Sequence, residues 1–396
     1  MLRQVEGSKA IADVVAACKP QVICAYPISP QTHIVEGLSQ LVKNGTLTGC
    51  EFINVESEFS AMSVAIGSSA TGARTYTATA SQGLLYMVEA VYNASGLGLP
   101  IVMTVANRAI GAPINIWNDH SDSMSQRDSG WIQLYAENNQ EATDLHIQAF
   151  RIAEEMSLPV MVCMDGFILT HAYEQVDIPE EPEVSKFLKP FVPRQVLDPA
   201  EPVSIGAMVG PETFLEVKYL AHQRMIDSLE TIQEVGVEFE SQFGRDSGGL
   251  LKSYKCDGAE TIIIALGSII GTLKDLVDEM QVQGHSIGLV GLTSFRPFPF
   301  DQLRQAVTGA KRVVVLEKAL STGVGGIVTA DVRTSLRGTQ IKDFTLIAGL
   351  GGRSITMKSL KEYVLRAMND SVAELTFLDL DVNIVESELA KERALR

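Results

Sequence analysis

Cysteine is scarce and scattered in this chain. Cys18, Cys24, Cys50, Cys163 and Cys256 include no C-x-x-C pair, which excludes zinc-ribbon spacing and the thiolate runs that hold iron–sulfur clusters. The five read as small buried hydrophobes in a reducing compartment, and no metal ligand is expected on this chain. Long apolar runs are missing too: no stretch approaches the roughly 18 residues needed to span a bilayer. The first residues lack the apolar core of a signal peptide, so a cytoplasmic location is the default expectation. Positive charge is in deficit, 32 Lys and Arg against 48 Asp and Glu for a net charge of −16. That balance disfavours DNA, RNA and anionic membrane surfaces as partners. No G-x-S-x-G elbow accompanies the six histidines, which argues against serine-hydrolase chemistry.

What is present is an alternation. Short β-rich runs (Val22–Tyr26, Glu51–Val55, Arg74–Ala78, Ile101–Val105, Leu158–Met164) are separated by helical patterns such as Ser8–Cys18, Gln31–Lys43, Gln82–Ala94 and Gln140–Met156. This is the signature of a doubly wound parallel sheet, and the near-continuous apolar character of the runs suits strands covered on both faces. Residues 1–175 are expected to form this α/β domain. Seven of the 15 prolines then fall between Pro179 and Pro211, so that stretch reads as an extended connector without regular elements, and with an acidic amphipathic helix at Glu216–Phe243 it makes up residues 176–255. Residues 256–396 alternate again and form a second α/β unit.

Four strand-to-helix corners in the first domain carry chemistry-bearing residues. They are Tyr26-Pro27-Ile28-Ser29-Pro30, Glu56-Ser57-Glu58, Thr79-Ala80-Ser81-Gln82-Gly83-Leu84 and Asn107-Arg108. In a parallel sheet, corners at the carboxyl ends of strands line the crevice where ligands bind. Ser29, stiffened by flanking prolines, suits either a hydrogen bond to a substrate or a helix cap. Glu58 opens an apolar helix, where an acid serves the helix dipole or acts as a functional carboxylate; Glu56 competes with it. Arg108 suits bidentate binding of a carboxylate, or an ion pair with Asp119, Asp122 or Asp128. Asp119-His120-Ser121-Asp122 matches no metal spacing and reads as acid–histidine hydrogen bonding within a loop. Gly323-Val324-Gly325-Gly326 opens a helix like a phosphate cradle, but close helix–sheet packing is the preferred reading, as for Gly349-Leu350-Gly351-Gly352.

At these corners the chain resembles the α subunits of 2-oxoacid:ferredoxin oxidoreductases, in particular the multi-subunit pyruvate type (pyruvate synthase). The segments are AYPISPQTHIVEGL at 25–38, NVESEFSAMSVAIGSSATGART at 54–75, TASQGLLYMVEA at 79–90, ANRAIGAPINIWNDHSDSMSQRDSGWIQL at 106–134 and LTSFRPFP at 292–299. The resemblance implies a pyrimidine-type thiamine-diphosphate domain followed by a transketolase C-terminal-like domain. It also implies reversible oxidative decarboxylation of pyruvate with CoA, giving acetyl-CoA and CO2, with electrons passed to ferredoxin. On this resemblance Glu58 is the glutamate that hydrogen-bonds the aminopyrimidine N1′ and so promotes loss of the thiazolium C2 proton. Arg108 and Ser29 contact the 2-oxoacid, and Ser81 and Gln82 shape the wall of the cofactor pocket. Ser29 stands where the family's Tyr-Pro-Ile-Thr-Pro has threonine, which leaves more room at the substrate.

No Gly-Asp-Gly run with a following Asn, the pattern expected to hold a diphosphate and its Mg2+, is present. The resemblance therefore assigns the diphosphate and Mg2+ to a β subunit and [4Fe–4S] clusters to a ferredoxin-like δ subunit, with a γ subunit completing the complex. Acidic ferredoxin is expected to dock elsewhere than on this acidic chain. Two alternatives stand beside this reading: a sister enzyme for 2-oxoglutarate, 2-oxoisovalerate or oxalate, and a non-catalytic scaffold subunit.

Overall fold

The computed structural model describes residues 2–395. The first half runs β1 (Leu2–Glu6), α1 (Gly7–Ala17), β2 (Val22–Ala25), α2 (Thr32–Lys43), β3 (Glu51–Asn54), α3 (Glu58–Ala70), β4 (Thr75–Thr79), α4 (Ser81–Tyr86), α5 (Val88–Leu97) and β5 (Ile101–Asn107). It continues through α6 (Ser121–Ser125), β6 (Ile132–Tyr135), α7 (Asn139–Met156), β7 (Val160–Asp165), β8 (Tyr173–Asp177), α8 (Glu181–Leu188) and the long α9 (Pro211–Phe243). The second half comprises β9 (Leu251–Tyr254), β10 (Thr261–Ala265), α10 (Ile269–Val282), β11 (Ile287–Leu292), β12 (Ser294–Arg296), α11 (Phe300–Ala306) and β13 (Arg312–Glu317). It ends with α12 (Ile327–Ser335), β14 (Lys342–Ile347), α13 (Met357–Met368), β15 (Leu375–Phe377) and α14 (Val382–Ala394).

The first sheet has the order β12-β6-β7-β5-β4-β2-β3 and the second β15-β14-β13-β10-β11-β9. Strands are parallel within each, apart from one antiparallel edge: β12 on the first and β9 on the second. The doubly wound character follows from how β5 distributes its side chains. Val102 faces one core with Ile11, Leu38, Phe150 and Val235, contributed by α1, α2, α7 and α9. Ile101, Met103 and Val105 face the other core, with Met62 and Val91 from α3 and α5 and with Ile262, Val290 and Val315 from the second sheet. Strict alternation on a strand sandwiched between two apolar layers explains why the sequence run is apolar throughout.

The second unit thus packs on the α3/α5 face of the first. It also donates β12 to the first sheet, where Ser294 pairs with Leu134. Two local readings needed correction. The helix expected over Gln82–Ala94 is interrupted at Met87, whose φ/ψ of −93°/9° separates α4 from α5. The proline-rich stretch does contain a regular element, α8. Pro182 sits in its first turn, where no donor is lost, and a reciprocal Glu180–Glu183 capping box starts it. Val184, Phe187 and Leu188 of α8 are buried in the first core. At the C-terminal end, α14 presents no buried residue.

Candidate functional site

β5, β4, β2 and β3 are consecutive neighbours, all parallel. The four corners that follow them therefore stand side by side along one sheet edge. Direct bonds join them. Arg108 Nη1 donates to the Ser29 carbonyl at 2.9 Å, linking the corners after β5 and β2. Ser81 Oγ donates to the Ala109 carbonyl at 2.5 Å, linking those after β4 and β5. The Gln31 amide donates to the Ala78 carbonyl at 2.6 Å, tying the start of α2 to β4.

Each expected residue finds a distinct setting. Glu58 is the first residue of α3, and Ser57 is the cap, its hydroxyl accepting the Ser60 N–H at 3.2 Å. Glu58 is half-buried and has no hydrogen-bond partner among the described residues. It lies against Gly83: a Cβ on Gly83 would come within 2.8 Å of both Glu58 Cγ and Oε1, and within 2.6 Å of Thr79 Oγ1. Thr79 Oγ1 is itself buried without a partner. Glu56 is engaged otherwise. It is exposed and accepts the Ser60 hydroxyl at 2.6 Å, a bond that holds its carboxyl below the ordinary value.

Ser29 is exposed, and α2 has no side-chain cap, so the Ser29 hydroxyl does not serve that role. Arg108 is 7% exposed, and burial lowers its pKa from the ordinary value, with Asp122 opposing. Its guanidinium forms no ion pair with Asp119, Asp122 or Asp128. Apart from Ser29 it reaches the Asn115 carbonyl at 3.4 Å. Ser81 is fully buried at φ 50°, a left-handed conformation that a non-glycine residue adopts at a cost. Its hydroxyl lies within hydrogen-bond reach of both the Ala109 carbonyl and the Gln82 side-chain amide, so both side chains are held in the wall of the crevice.

The residue that secures this strained corner is one the sequence offered only as an ion-pair partner for Arg108 or a loop partner for His120. Asp122, fully buried, accepts the backbone N–H groups of Ser81 and Arg108, both at 2.9 Å, and the Asn107 amide at 2.8 Å. Burial raises its carboxyl pKa, and those hydrogen bonds offset part of the rise. A carboxylate 14 residues beyond Arg108 carries no periodic signal, so sequence spacing could not have assigned it this role. Nor does His120 pair with its loop neighbours, as expected. It meets Asp165, at the end of β7, at 2.6 Å, and Lys318 of the second unit binds the same carboxylate at 2.8 Å. Burial alone would raise Asp165, but Lys318 and His120 hold it well below the usual carboxylate range.

The glycine-rich turns find structural uses. The N-terminus of α12 is filled by the chain's own anion. Glu317 accepts the N–H groups of Ile327, Val328 and Thr329 at 2.7–2.8 Å, leaving no vacancy for a phosphate. Gly326 has no room for a Cβ, which would lie 2.2 Å from Glu317 Oε1. In the second turn, Gly351 donates to Asp119 and accepts from Asn115, so it docks the second unit onto the loop after β5.

Known proteins share this architecture. Residues 13–236 match the thiamine-diphosphate-binding domain of the pyruvate flavodoxin/ferredoxin oxidoreductases, and residues 259–360 match core domain II of pyruvate:ferredoxin oxidoreductase. Pyruvate synthase subunit PorA of Methanosarcina barkeri is 48% identical, over 95% of this chain and 96% of its own length. PorA of Methanothermobacter thermautotrophicus is 44% identical, over 93% and 96%. The ketoisovalerate oxidoreductase subunit VorA of Pyrococcus horikoshii is more distant at 39%, over 90% and 91%. Among solved structures, the 2-oxoglutarate:ferredoxin oxidoreductase of Magnetococcus marinus superposes with a TM-score of 0.70 at 17% identity, covering 92% of this chain and 65% of that one. A split-gene transketolase superposes with a TM-score of 0.53 at 13% identity, covering 93% and 99%. Both likenesses concern the fold: a thiamine-diphosphate-type α/β domain joined to a transketolase C-terminal-like domain. On these grounds the chain belongs to the pyruvate:ferredoxin oxidoreductase family.

Proposed function

We propose that the chain works as the α subunit of a pyruvate:ferredoxin oxidoreductase, turning pyruvate and CoA reversibly into acetyl-CoA and CO2 and passing the electrons to ferredoxin. The observation that carries this reading is the state of Glu58. A half-buried carboxylate with no hydrogen-bond partner among the described residues, beside the equally unpartnered Thr79 hydroxyl, fits a ligand that brings its own polar groups. Thiamine diphosphate, when bound, supplies the carbanion that adds to the carbonyl of a 2-oxoacid.

The residues of this chain divide the remaining work. Glu58 would hydrogen-bond the aminopyrimidine ring and hold the proton that sets its tautomer. Arg108, anchored through one nitrogen to Ser29, keeps further donors for the substrate carboxylate, and its burial strengthens that pairing. The Ser29 hydroxyl, exposed to the crevice edge and not engaged in capping α2, serves the same substrate. Ser81 and Gln82, bonded to each other, form a wall that holds shape when the ligand leaves.

The chain's lack of a diphosphate-binding run and of clustered cysteines supports partners that supply them: a β subunit with Mg2+ and the diphosphate half, a δ subunit with [4Fe–4S] clusters, and a γ subunit. The identities of 43–48% to pyruvate synthase subunits against 39% to a ketoisovalerate subunit favour pyruvate over a branched 2-oxoacid. The test is Glu58→Gln in the assembled complex, assayed across pyruvate, 2-oxoisovalerate and 2-oxoglutarate. The expected result is pyruvate preference in the wild type, and turnover reduced roughly 10²- to 10⁴-fold in the variant with assembly intact. Wild-type-like turnover by the variant would overturn the assignment of Glu58, and a preference for another 2-oxoacid would overturn the substrate.

A further inference from the structure

Away from the crevice residues described above, three side chains with metal-ligand chemistry meet from distant parts of the chain. Glu6 ends β1, His33 lies in the first turn of α2, and His171 lies in the connection from β7 to β8. One donor atom from each lies within 4.8 Å of the other two. His33 Nδ1 is 2.7 Å from Glu6 Oε1, and the two imidazole centroids are 4.7 Å apart.

The backbone beneath them is already rigid. β1 pairs with β8 so that Glu6 opposes Tyr173, and the Gly7 and Ser8 N–H groups donate to Ala172 and Thr170 at 3.0 and 2.9 Å. Glu6 and His171 are therefore fixed relative to each other before any ligand arrives. His33 is brought in by α2, whose start is tied to β4 through buried Gln31.

His171 is also oriented as a ligand would be. Its Nδ1 sits 2.7 Å from Thr170 Oγ1, and that hydroxyl is buried and accepts the Phe167 N–H at 2.8 Å. Phe167 packs on the ring, centroids 4.9 Å apart. A metal-bound imidazole typically gives its other N–H to a protein oxygen, which fixes tautomer and direction. In the tautomer a metal ligand needs, Nδ1–H donates to Thr170 Oγ1 and leaves the Nε2 lone pair free; Nε2 has no hydrogen-bond partner among the described residues.

We propose that Glu6, His33 and His171 form a three-ligand site for a divalent transition-metal ion of the zinc class, with its fourth position left to water. Two imidazoles and one carboxylate suit Zn2+, Co2+ or Ni2+ and disfavour Ca2+ and Mg2+, which take oxygen ligands. With metal–ligand bonds of about 2.0–2.2 Å, a tetrahedral site needs donors about 3.4 Å apart. The Glu6–His33 approach is shorter than this and the widest separation longer. The side chains of His33 and Glu6 are 50% and 19% exposed, so small rotations can close both differences without moving the backbone. The bound ion joins β1, the start of α2 and the β7–β8 connection at one point. His33 lies four residues beyond Ser29, so the ion also stiffens the turn that carries it.

The test uses the purified whole complex, dialysed anoxically against chelator and then equilibrated with Zn2+, with zinc counted per α chain by elemental analysis. Wild type should retain one more zinc than His33→Gln and His171→Ala, each of which should bind at least roughly tenfold more weakly. His222→Gln, a histidine elsewhere on the chain, should retain the wild-type count. Zinc should also raise the unfolding temperature of the wild type and not of His33→Gln, a half-exposed position where the substitution is tolerated. Equal zinc in wild type and both histidine variants, or an equal thermal shift in wild type and His33→Gln, would overturn the proposal.

Discussion

Gly83 and Glu58 occupy one contact volume: the space a Gly83 side chain would take is filled by Glu58 Cγ and Oε1, each 2.8 Å from the position of a Cβ. The corner after β4 is thus the back wall of the carboxylate that opens α3. Gly83→Ala should push Glu58 off its position. In a helix, Gly→Ala ordinarily adds stability. Here the expected outcome, on the role proposed for Glu58, is a loss of turnover of roughly 10- to 100-fold, because displacement of a catalytic group by about 1 Å is enough. Steady-state kinetics and thiamine diphosphate affinity of the variant complex check this; unchanged kinetics would separate the two residues functionally.

Arg108→Lys tests the guanidinium. Lysine keeps the charge but cannot both bond the Ser29 carbonyl and present a planar fork to a carboxylate. The expected signature is a KM for pyruvate raised roughly 10- to 100-fold, with a smaller change in kcat. A change confined to kcat would place Arg108 away from the substrate carboxylate.

Glu317→Ala tests the anion built into α12. The substitution leaves the N–H groups of Ile327, Val328 and Thr329 without their acceptor in a buried site. Burial raises the Glu317 carboxyl pKa, and the Thr329 hydroxyl with those N–H groups offsets part of the rise. The expected cost is about 3 kcal/mol or more. Urea unfolding of the variant measures it, and a loss under about 0.5 kcal/mol, the usual range for a surface change, would contradict the assigned role.

Acid stability tests a buried histidine under the central strands. His146 Nδ1–H must donate to the Ala142 carbonyl at 2.6 Å, so Nε2 accepts from the Thr104 hydroxyl, which in turn accepts from Tyr76. Every member of this chain is neutral and satisfied. Burial lowers the His146 pKa from 6.5 to about 4. Between those values the unfolded chain binds a proton that the folded one does not, so stability falls with acid by roughly 1.4 kcal/mol per pH unit. Asp122, Glu141, Asp144 and Glu154, raised by burial, oppose this trend. The readout is therefore the difference in pH slope between wild type and His146→Gln. An identical slope in the two would show that His146 does not contribute.

Much of the fold was legible because buried parallel strands write an unmistakable pattern. The runs at Val22, Glu51, Arg74 and Ile101 fall within a residue or two of β2, β3, β4 and β5. The missed strands share a cause. β1, β8 and β12 are short edge or two-stranded elements whose pairing partners lie far along the chain, and no local pattern announces them. α8 was obscured by its prolines, one of which starts the helix rather than breaking it.

By itself the sequence determined the parallel α/β architecture, the four corner motifs and, through their resemblance, the family. These depend on residue type and on local spacing, both of which are written in order along the chain. Only the tertiary structure decided that Glu58 and not Glu56 lacks a partner, that Asp122 holds the corners at Ser81 and Arg108, and that Glu317 closes the glycine-rich turn. It also brought Glu6, His33 and His171 together. The physical reason is common to all of these: a carboxylate or imidazole is defined by the atoms within hydrogen-bond reach, and in a doubly wound sheet those atoms come from strands adjacent in space but separated in sequence.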